Sequence, residues 1–236
     1  MRKLAVMQPY FMPYVGYFQL INAADCFVLF DDVAYIKKGW INRNRICVAG
    51  RPYTFTVPLV SASQNRAINK HSLFEDGRWR YKLLATIETS YRNAINFDDA
   101  FPLVASIVLH PVLSLSEFIT HSLKRLCSYL QISTQLVSSS CIYNNQELRA
   151  QDRIIDICKK EQADVYINPI NGQDLYQDQA FRAEGIELLF LQSRVMSYMQ
   201  ALPEFCPSLS IIDVLMNNSQ TEARELLSQY QLVRNL

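Results

Sequence analysis

The chain has 236 residues, 50% of them hydrophobic, with only 6 glycines and 9 prolines, a composition typical of an ordered globular protein. Its 23 Lys and Arg side chains nearly cancel 22 Asp and Glu side chains, and the formal net charge is +1. This balance argues against nucleic acid as a partner, because a protein that binds nucleic acid needs a basic surface.

Cysteine spacing and apolar run lengths indicate where the protein resides. The six cysteines lie far apart, without a C-x-x-C pair or a histidine beside them, which favours reduced core thiols over disulfides or a metal site. The N-terminal apolar run stops at Gln8 and Pro9, too early for a signal peptide. No apolar stretch approaches the ~20 residues of a membrane span. These features predict a soluble cytoplasmic protein that does not insert into membranes.

Two short apolar runs near the N-terminus, residues 4–8 and 26–30, predict buried parallel strands. Pro13 is placed for the first turn of a helix between them. The second run ends at Asp31 and Asp32. Because ligands bind outside the carboxyl ends of parallel strands, the loop after the first strand and this acidic pair are predicted to share one crevice.

The section from about residue 45 to 130 interrupts this pattern. Alternating side chains at 45–48 and 53–57 predict a β-hairpin, and the polar stretch 61–70 predicts a loop that acts as a flap over the crevice. Three helices are predicted next, at residues 79–91, 99–110 and 114–130, the last opened by a Ser114–Glu117 capping pattern.

Strands and helices alternate again in the second half. Strands are predicted at 134–139, 163–168 and 186–191, and helices at 146–162 and 174–184. The five strands joined by helices predict a Rossmann-like α/β fold of the nucleotidyltransferase/HUP-like type, with a five-stranded parallel sheet. Two C-terminal helices are predicted at 208–217 and 221–232, the second capped by Ser219 with Glu222 three residues on. The whole chain is predicted to be one domain with an insertion at about 45–130.

The first candidate motif is Tyr14-Val15-Gly16-Tyr17, at the start of the first helix. Its position matches the H-x-G-H element of class I nucleotidylyltransferases and aminoacyl-tRNA synthetases, with tyrosines in place of both histidines. A tyrosine, with a pKa near ~10, can donate a hydrogen bond or stack on a base but carries no positive charge. The motif indicates nucleotide-type binding without adenylyl transfer; the alternative is a glycine needed for packing between core tyrosines.

Two polar groups follow the second strand. Asp31 and Asp32 are candidates for a general base, a Mg²⁺ site or a pair that binds sugar hydroxyls, although carboxylates also form ordinary turns. The stretch 37–45 combines cations, an indole and amides suited to a phosphorylated sugar. The alternative is a solvated hairpin entry whose cations neutralise the acidic pair. Its candidate binding residues are Lys38, Trp40, Asn42, Arg43 and Asn44.

Other loops at the predicted carboxyl edge add weaker candidates. Ser138 and Ser139 follow the third strand of the predicted parallel sheet, and Asn171-Gly172 follows the fourth; both pairs suit contact with a ligand and equally suit plain turns. The three histidines, His71, His110 and His121, fit no catalytic triad or metal spacing.

The sequence resembles the WbqC-like proteins of bacteria. The residues that carry the resemblance are AVMQPYFMPYVGYFQLINAADCFVLFDDVAYIKKGWINRNRI at 5–46, the helix at 79–91, the Asn171-Gly172 region, and SLSIIDVLMNN at 208–218. Members often have Lys-His where this chain has Lys82-Leu83, and a glycine where it has Asn218-Ser219. The resemblance implies an enzyme of surface-polysaccharide (O-antigen type) biosynthesis.

The sequence therefore predicts an enzyme that binds a nucleotide-linked or activated acyl substrate and transfers a small acyl or aminoacyl group to an amino sugar. The alternatives are a non-catalytic nucleotide-sugar-binding or scaffold protein and a nucleotidylyltransferase-type enzyme; transfer from aminoacyl-tRNA is a further one. Asp31 or Asp32 is the predicted base, with Mg²⁺ as the candidate metal there, and a homo-oligomer is left open. The predicted binding residues are Gln8, Tyr10, Tyr14, Gly16, Tyr17, Lys38, Trp40, Asn42, Arg43, Asn44, Ser138, Ser139, Asn171 and Gly172.

Overall fold

The computed structural model describes residues 1–194, 197–200 and 204–234, and in these ranges one six-stranded sheet and one separate hairpin contain the β-strands. The sheet strands are β1 Lys3–Met7, β2 Cys26–Leu29, β5 Gln135–Val137, β6 Val165–Pro169, β7 Glu187–Ser193 and β8 Tyr230–Val233. The hairpin consists of β3 Arg43–Val48 and β4 Arg51–Thr56.

Eight α-helices lie in the part of the chain that is described. They are α1 Val15–Ala23, α2 Arg78–Tyr91, α3 Phe97–Val108, α4 Leu115–Tyr129, α5 Ala150–Lys160, α6 Asp178–Ala183, α7 Ile211–Asn217 and α8 Gln220–Glu225. None of these helices combines the length and the apolar content needed to cross a bilayer.

Two hydrophobic cores cover the two faces of the sheet, because successive strand side chains point in opposite directions. Ala5 and Phe27 pack in one core with α1, α2, α3, α4, α7 and α8. Leu4 and Cys26 pack in the other core with α5 and α6. The sheet is thus covered on both faces, as parallel strands require.

The order of the strands creates a crevice at the carboxyl edge. The strands lie in the order β5-β2-β1-β6-β7-β8, with β1 parallel to both β2 and β6. The chain proceeds outward from β1 on one side and outward from β6 on the other. The point between β1 and β6 is therefore a topological switch point, where ligands bind in open α/β sheets.

The predicted C-terminus was wrong in one respect. The helix expected over 221–232 ends at Glu225, and Tyr230–Val233 forms the sixth strand, antiparallel to β7, with Val233 opposite Phe190. The sheet is therefore mixed rather than five-stranded and all parallel. The physical reason is that β7 would otherwise expose an edge of unpaired backbone N–H and C=O groups, and the backbone of β8 pairs with that edge. The Ser219–Glu222 capping box at the start of α8 is confirmed.

The other predicted elements are confirmed within a few residues, and the hairpin and α2–α4 lie between β2 and β5 as expected. Ser114 caps α4 by accepting a hydrogen bond from the Glu117 N–H. The loop predicted as a flap lies against residues 31–35, where the N–H groups of Ile68 and Asn69 donate to the carbonyls of Val33 and Asp31.

Candidate functional site

A cavity of about 770 Å³ lies at the carboxyl ends of β1, β6 and β7. Met7 and Gln8 line it from the end of β1, and Asn168 from the end of β6. The cavity is at the topological switch point of the sheet, and we call it the switch-point cavity. Of the predicted binding residues, eight line it: Gln8, Tyr10, Tyr14, Gly16, Trp40, Asn44, Asn171 and Gly172.

The lining of the cavity combines aromatic rings, amides and one cation. The rings with polar atoms are Tyr10, Tyr14, Trp40 and Tyr176, and the amide side chains are Gln8, Asn44, Asn168, Asn171 and Gln192. Arg45 supplies the positive charge, and the described lining residues include no Asp, Glu, His or Cys. Such a surface suits a ligand with ring faces, hydroxyl groups and negative charge.

The Tyr14-Val15-Gly16-Tyr17 motif builds the floor beside α1. A Cβ atom on Gly16 would lie 2.4 Å from Tyr14 Cε2, so the glycine leaves room for the Tyr14 ring. Tyr17 is buried and donates a hydrogen bond of 2.8 Å to the Gln8 carbonyl. Burial raises the pKa of Tyr14 above its usual value. Tyr17 therefore holds the backbone of the loop, while Tyr14 and Gly16 are at the cavity wall.

Gly172 has a similar spatial role after β6. A Cβ atom there would lie 2.1 Å from Asn168 Nδ2, so only glycine leaves the Asn168 amide undisturbed. The Tyr166 hydroxyl donates to Asn168 Oδ1 at 3.3 Å, and Asn168 Nδ2 donates to the Pro169 carbonyl at 3.1 Å. The glycine thus shapes the cavity by fixing a neighbouring amide.

The hairpin supplies the basic wall of the cavity. The guanidinium carbons of Arg43 and Arg45 lie 5.7 and 5.6 Å from the centre of the Trp40 ring. Of these two arginines, Arg45 lines the cavity, whereas Arg43, a predicted binding residue, lies beside it and is not part of the lining. Arg45 was not among the predicted site residues; its spacing of two from Arg43 in a strand, which puts both side chains on one face, is the signal that would have identified it. Lys38 is exposed and outside the cavity lining.

The two predicted asparagines of this hairpin region hold the backbone. Asn44 Nδ2 donates to the Met12 carbonyl at 2.8 Å and so joins β3 to the aromatic loop. Asn42 accepts from the Tyr35 hydroxyl at 2.7 Å and donates to the Val57 carbonyl at 2.7 Å. Asn42 does not line the cavity.

Asp31 and Asp32 lie outside the switch-point cavity and are saturated with hydrogen bonds. The buried Asp31 carboxylate accepts from Ser116 Oγ at 2.6 Å, from Ser139 Oγ at 2.7 Å and from the Ser140 N–H at 3.2 Å. We call these residues, with Asp32 and its partner Arg153, the acidic cluster. Each of the two Asp31 oxygens already has a donor.

Asp32 forms a buried ion pair with Arg153. Their N–O distance is 2.6 Å, and the two side chains are 6% and 7% exposed. Burial alone would raise the pKa of Asp32, but hydrogen bonds from Ser140, Arg153 and Gln146 outweigh it and hold the pKa below its usual value. Asp32 is therefore a charged, paired group, unlike a general base whose pKa is raised toward neutrality.

The acidic cluster also does not fit Mg²⁺. All four carboxylate oxygens of Asp31 and Asp32 accept hydrogen bonds, and the positive charge of Arg153 opposes a cation at Asp32. Across the described ranges, no group of three or more His, Cys, Asp and Glu side chains is arranged to hold a metal ion.

The acidic cluster nevertheless contacts the cavity wall indirectly. The Arg153 guanidinium carbon lies 4.6 Å from the centre of the Phe30 ring, and Phe30 lines the cavity. Ser139 and the exposed Ser138 line a separate depression of about 560 Å³ beside Asp31. The structure thus separates Ser138 and Ser139 from the other predicted binding residues.

Asp213 is a buried carboxylate that the sequence analysis did not identify. It accepts hydrogen bonds from the Tyr91 hydroxyl at 2.7 Å and the Tyr198 hydroxyl at 2.8 Å, and the Tyr91 oxygen accepts from the Cys47 N–H of β3. Burial raises the pKa of Asp213, and these hydrogen bonds offset part of the rise. An Asp within the apolar stretch of α7 is the sequence signal, and its contacts join α7, α2 and the hairpin.

Comparison with known proteins gives a family but no activity. The model of the WbqC-like protein family matches residues 8–225. A curated relative, "Uncharacterized protein Rv1507c" of Mycobacterium tuberculosis (strain ATCC 25618 / H37Rv), is 29% identical over 221 residues, which cover 92% of this chain and 94% of the relative. No solved structure matches significantly.

Proposed function

The chain belongs to the WbqC-like protein family, and we propose that its switch-point cavity binds a nucleotide-linked sugar for a transfer reaction in bacterial surface-polysaccharide biosynthesis. One observation carries this proposal: the cavity at the switch point is lined by aromatic rings and amides, has a basic wall, and has no carboxylate among its described lining residues.

The size and chemistry of the cavity support a ligand of this class. Its volume of about 770 Å³ is within the roughly 300–1,000 Å³ of small-molecule sites. Tyr10 and Trp40 offer ring faces for a base or a sugar. The side chains of Gln8 and Asn171 have no hydrogen-bond partner within the described ranges, so they remain available to sugar hydroxyls.

The reaction we propose is transfer of a small acyl or aminoacyl group to the amine of an amino sugar. The amine nitrogen forms a bond to the acyl carbon, the bond from that carbon to its activating group breaks, and the amine loses one proton. A neutral amine is already a nucleophile, so this reaction demands less of a general base than attack by a hydroxyl would. The reaction is therefore compatible with a cavity whose described lining residues include no carboxylate.

Asp31 and Asp32 enter this proposal as residues that stabilise the fold beside the cavity. Both carboxylates lie outside the cavity, and the Asp32–Arg153 pair supports Phe30 in its wall. Their predicted role as general base is tested by Asp31→Asn and Asp32→Asn: if each folded variant keeps wild-type turnover of an identified substrate, the residue is not the base. Loss of turnover with unchanged substrate affinity and stability would restore the general-base role.

A second candidate function is non-catalytic binding of the same ligand by a scaffold protein. The observation that favours it is the absence of Asp, Glu, His and Cys from the described lining. A nucleotidylyltransferase activity has less support, because Tyr17 is buried against the Gln8 carbonyl and neither tyrosine supplies positive charge.

Thermal-shift and calorimetric titration with UDP-, dTDP- and GDP-linked amino sugars tests the binding step. A ligand at 100 times its Kd should stabilise the protein by ~2.7 kcal/mol. Mass spectrometry of the bound sugar after incubation with acyl-coenzyme A or aminoacyl donors then separates the two candidates. A mass increase equal to the acyl group supports the transferase, and binding without a mass increase supports the scaffold. No binding of any nucleotide sugar would contradict both.

A further inference from the structure

The first question within the cavity is where the phosphate groups of a ligand bind. Rossmann-like folds usually place them at the N-terminus of the helix after the first strand, where backbone N–H groups and the helix dipole favour anions. Here the Tyr14 ring lies over Gly16 at that helix end, and Val15 and Tyr17 are buried. The Tyr14 ring therefore occupies part of the space at the usual phosphate position.

The hairpin has two cations without a counter-charge. Arg43 and Arg45 form no ion pair with a carboxylate of the described residues. The Nε atom of each is buried and has no hydrogen-bond partner among the described residues. Buried polar atoms in folded proteins nearly always have a partner, and a buried donor without one carries a free-energy cost. A bound anion would supply the partner for both guanidinium groups.

The contact of both arginines with Trp40 does not explain this arrangement. A cation–π contact uses the face of the guanidinium group and leaves its N–H donors at the edge unused. Asn44, the residue between them, also lines the cavity, but its amide is already engaged with the Met12 carbonyl and the Arg45 N–H. The unused donors therefore belong to Arg45 in the lining and to Arg43 beside it on the same face of β3.

We propose that Arg45 in the cavity lining and Arg43 beside it, separated by one residue of β3 and both in contact with Trp40, form an anion subsite at the rim of the switch-point cavity and bind the pyrophosphate of a nucleoside diphosphate sugar. The proposal rests on the proposed function and adds where, and in which orientation, the ligand binds. The pyrophosphate lies at the hairpin rim, and the sugar lies toward Gln8 and Asn168 at the strand ends. Guanidinium groups suit this task because they donate two parallel hydrogen bonds to phosphate oxygens.

The test is isothermal titration calorimetry of the full chain with a nucleoside diphosphate sugar, the matching nucleoside, and inorganic pyrophosphate as competitor. Arg43→Gln and Arg45→Gln remove the charges, Arg45→Lys keeps one charge without the fork, and Arg51→Gln is the matched control. Arg51 is an exposed arginine of the same hairpin that does not line the cavity.

We expect Arg45→Gln and Arg43→Gln each to weaken binding of the nucleoside diphosphate sugar by about tenfold or more, the effect of losing a charged hydrogen bond. The affinity of these variants for the nucleoside should change little. The affinity of Arg45→Lys for the nucleotide sugar should be intermediate, and that of Arg51→Gln should equal wild type. Pyrophosphate should displace the nucleotide sugar only from wild type and from Arg51→Gln. If wild type binds the nucleotide sugar and both Gln variants bind it equally well, the anion subsite is elsewhere. If wild type binds no nucleotide sugar, the proposed function itself is contradicted.

Discussion

Two polar regions at the carboxyl edge of the same sheet differ in how far their polar groups are satisfied. In the acidic cluster, both oxygens of Asp31 and of Asp32 accept hydrogen bonds, and Asp32 is paired with a buried arginine. At the switch-point cavity, Arg45 in the lining and Arg43 beside it each have a buried Nε donor without an acceptor among the described residues. Polar groups that are all hydrogen-bonded within the protein stabilise the fold, whereas unpaired donors at a cavity remain available to a ligand.

The two regions should therefore respond differently to substitution. Substitutions in the acidic cluster should reduce stability, and their effect on binding should follow only from that loss. Substitutions of the hairpin arginines should reduce binding and leave stability nearly unchanged.

The largest loss is expected from Asp32→Ala. It leaves the buried Arg153 guanidinium without its carboxylate, and removing one partner of a buried pair costs about 3–5 kcal/mol of unfolding free energy. Urea denaturation followed by circular dichroism measures it. The double variant Asp32→Leu with Arg153→Met removes both charges and should recover much of that loss; a double variant as unstable as Asp32→Ala would contradict the pairing.

A smaller loss is expected from Asp31→Ala. It leaves the Ser140 N–H and the hydroxyls of Ser116 and Ser139 without their acceptor, and unsatisfied buried groups cost about 1–3 kcal/mol. Asp31→Asn keeps one oxygen acceptor and is the matched control, with a smaller loss in the same urea assay. An Asp31→Ala protein of wild-type stability would show that these hydrogen bonds do not stabilise the fold.

The pH dependence of stability should separate Asp32 from Asp213. The folded pKa of Asp32 is lowered, so its contribution is fully present above the unfolded-state pKa of about 3.9 and is lost as pH falls through the folded pKa. The folded pKa of Asp213 is raised, so its contribution is present below about 3.9 and is lost as pH rises through the folded pKa.

Unfolding free energies of wild type, Asp32→Asn and Asp213→Asn between pH 3 and 8 measure both effects. The advantage of wild type over Asp32→Asn should shrink toward pH 3, and its advantage over Asp213→Asn should shrink toward pH 8. Two differences that change in the same direction with pH would contradict the assignment of these two carboxylates to opposite environments.

The smallest stability effect is expected from the hairpin. Arg43→Gln and Arg45→Gln should each change the unfolding free energy by no more than about 0.5 kcal/mol, the usual range for substitutions that break no buried network. Arg51→Gln in the same hairpin sets the baseline. A loss above 2 kcal/mol would place these arginines with the structural residues and remove the contrast between the two regions.

Local patterns in the sequence predicted most of the fold. Some elements depend only on residues that are close together in sequence. These are the strands before Gln8 and Asp31, the Ser114–Glu117 cap and the hairpin, and all are confirmed. The strand β8 could not be predicted in this way, because its pairing with the edge of β7 depends on contacts between residues distant in sequence. The capping box at Ser219 correctly indicated a helix but not where that helix ends.

The edge of the sheet that holds the cavity could be predicted from the sequence, but the contacts of the individual side chains could not. The carboxyl-edge rule placed Gln8 and Asn171 at the edge of the sheet where the cavity lies. The same rule predicted that Asp31 and Asp32 share this crevice, and that was wrong, because both lie outside the cavity lining. It could not show that Arg153, 121 residues from Asp32 in sequence, would pair with that carboxylate, or that the Tyr14 ring would cover Gly16. Both facts depend on side-chain packing between distant segments, which a motif does not encode.

A crystal structure with a bound nucleoside diphosphate amino sugar tests most directly the claim that the switch-point cavity binds this ligand with its pyrophosphate at Arg43 and Arg45. The claim predicts electron density in the switch-point cavity, with pyrophosphate oxygens about 2.7–3.2 Å from guanidinium nitrogens of Arg43 and Arg45 and with Asp31 and Asp32 keeping their present partners. Density for the pyrophosphate at the acidic cluster, or at the α1 N-terminus with the Tyr14 ring displaced, would contradict it.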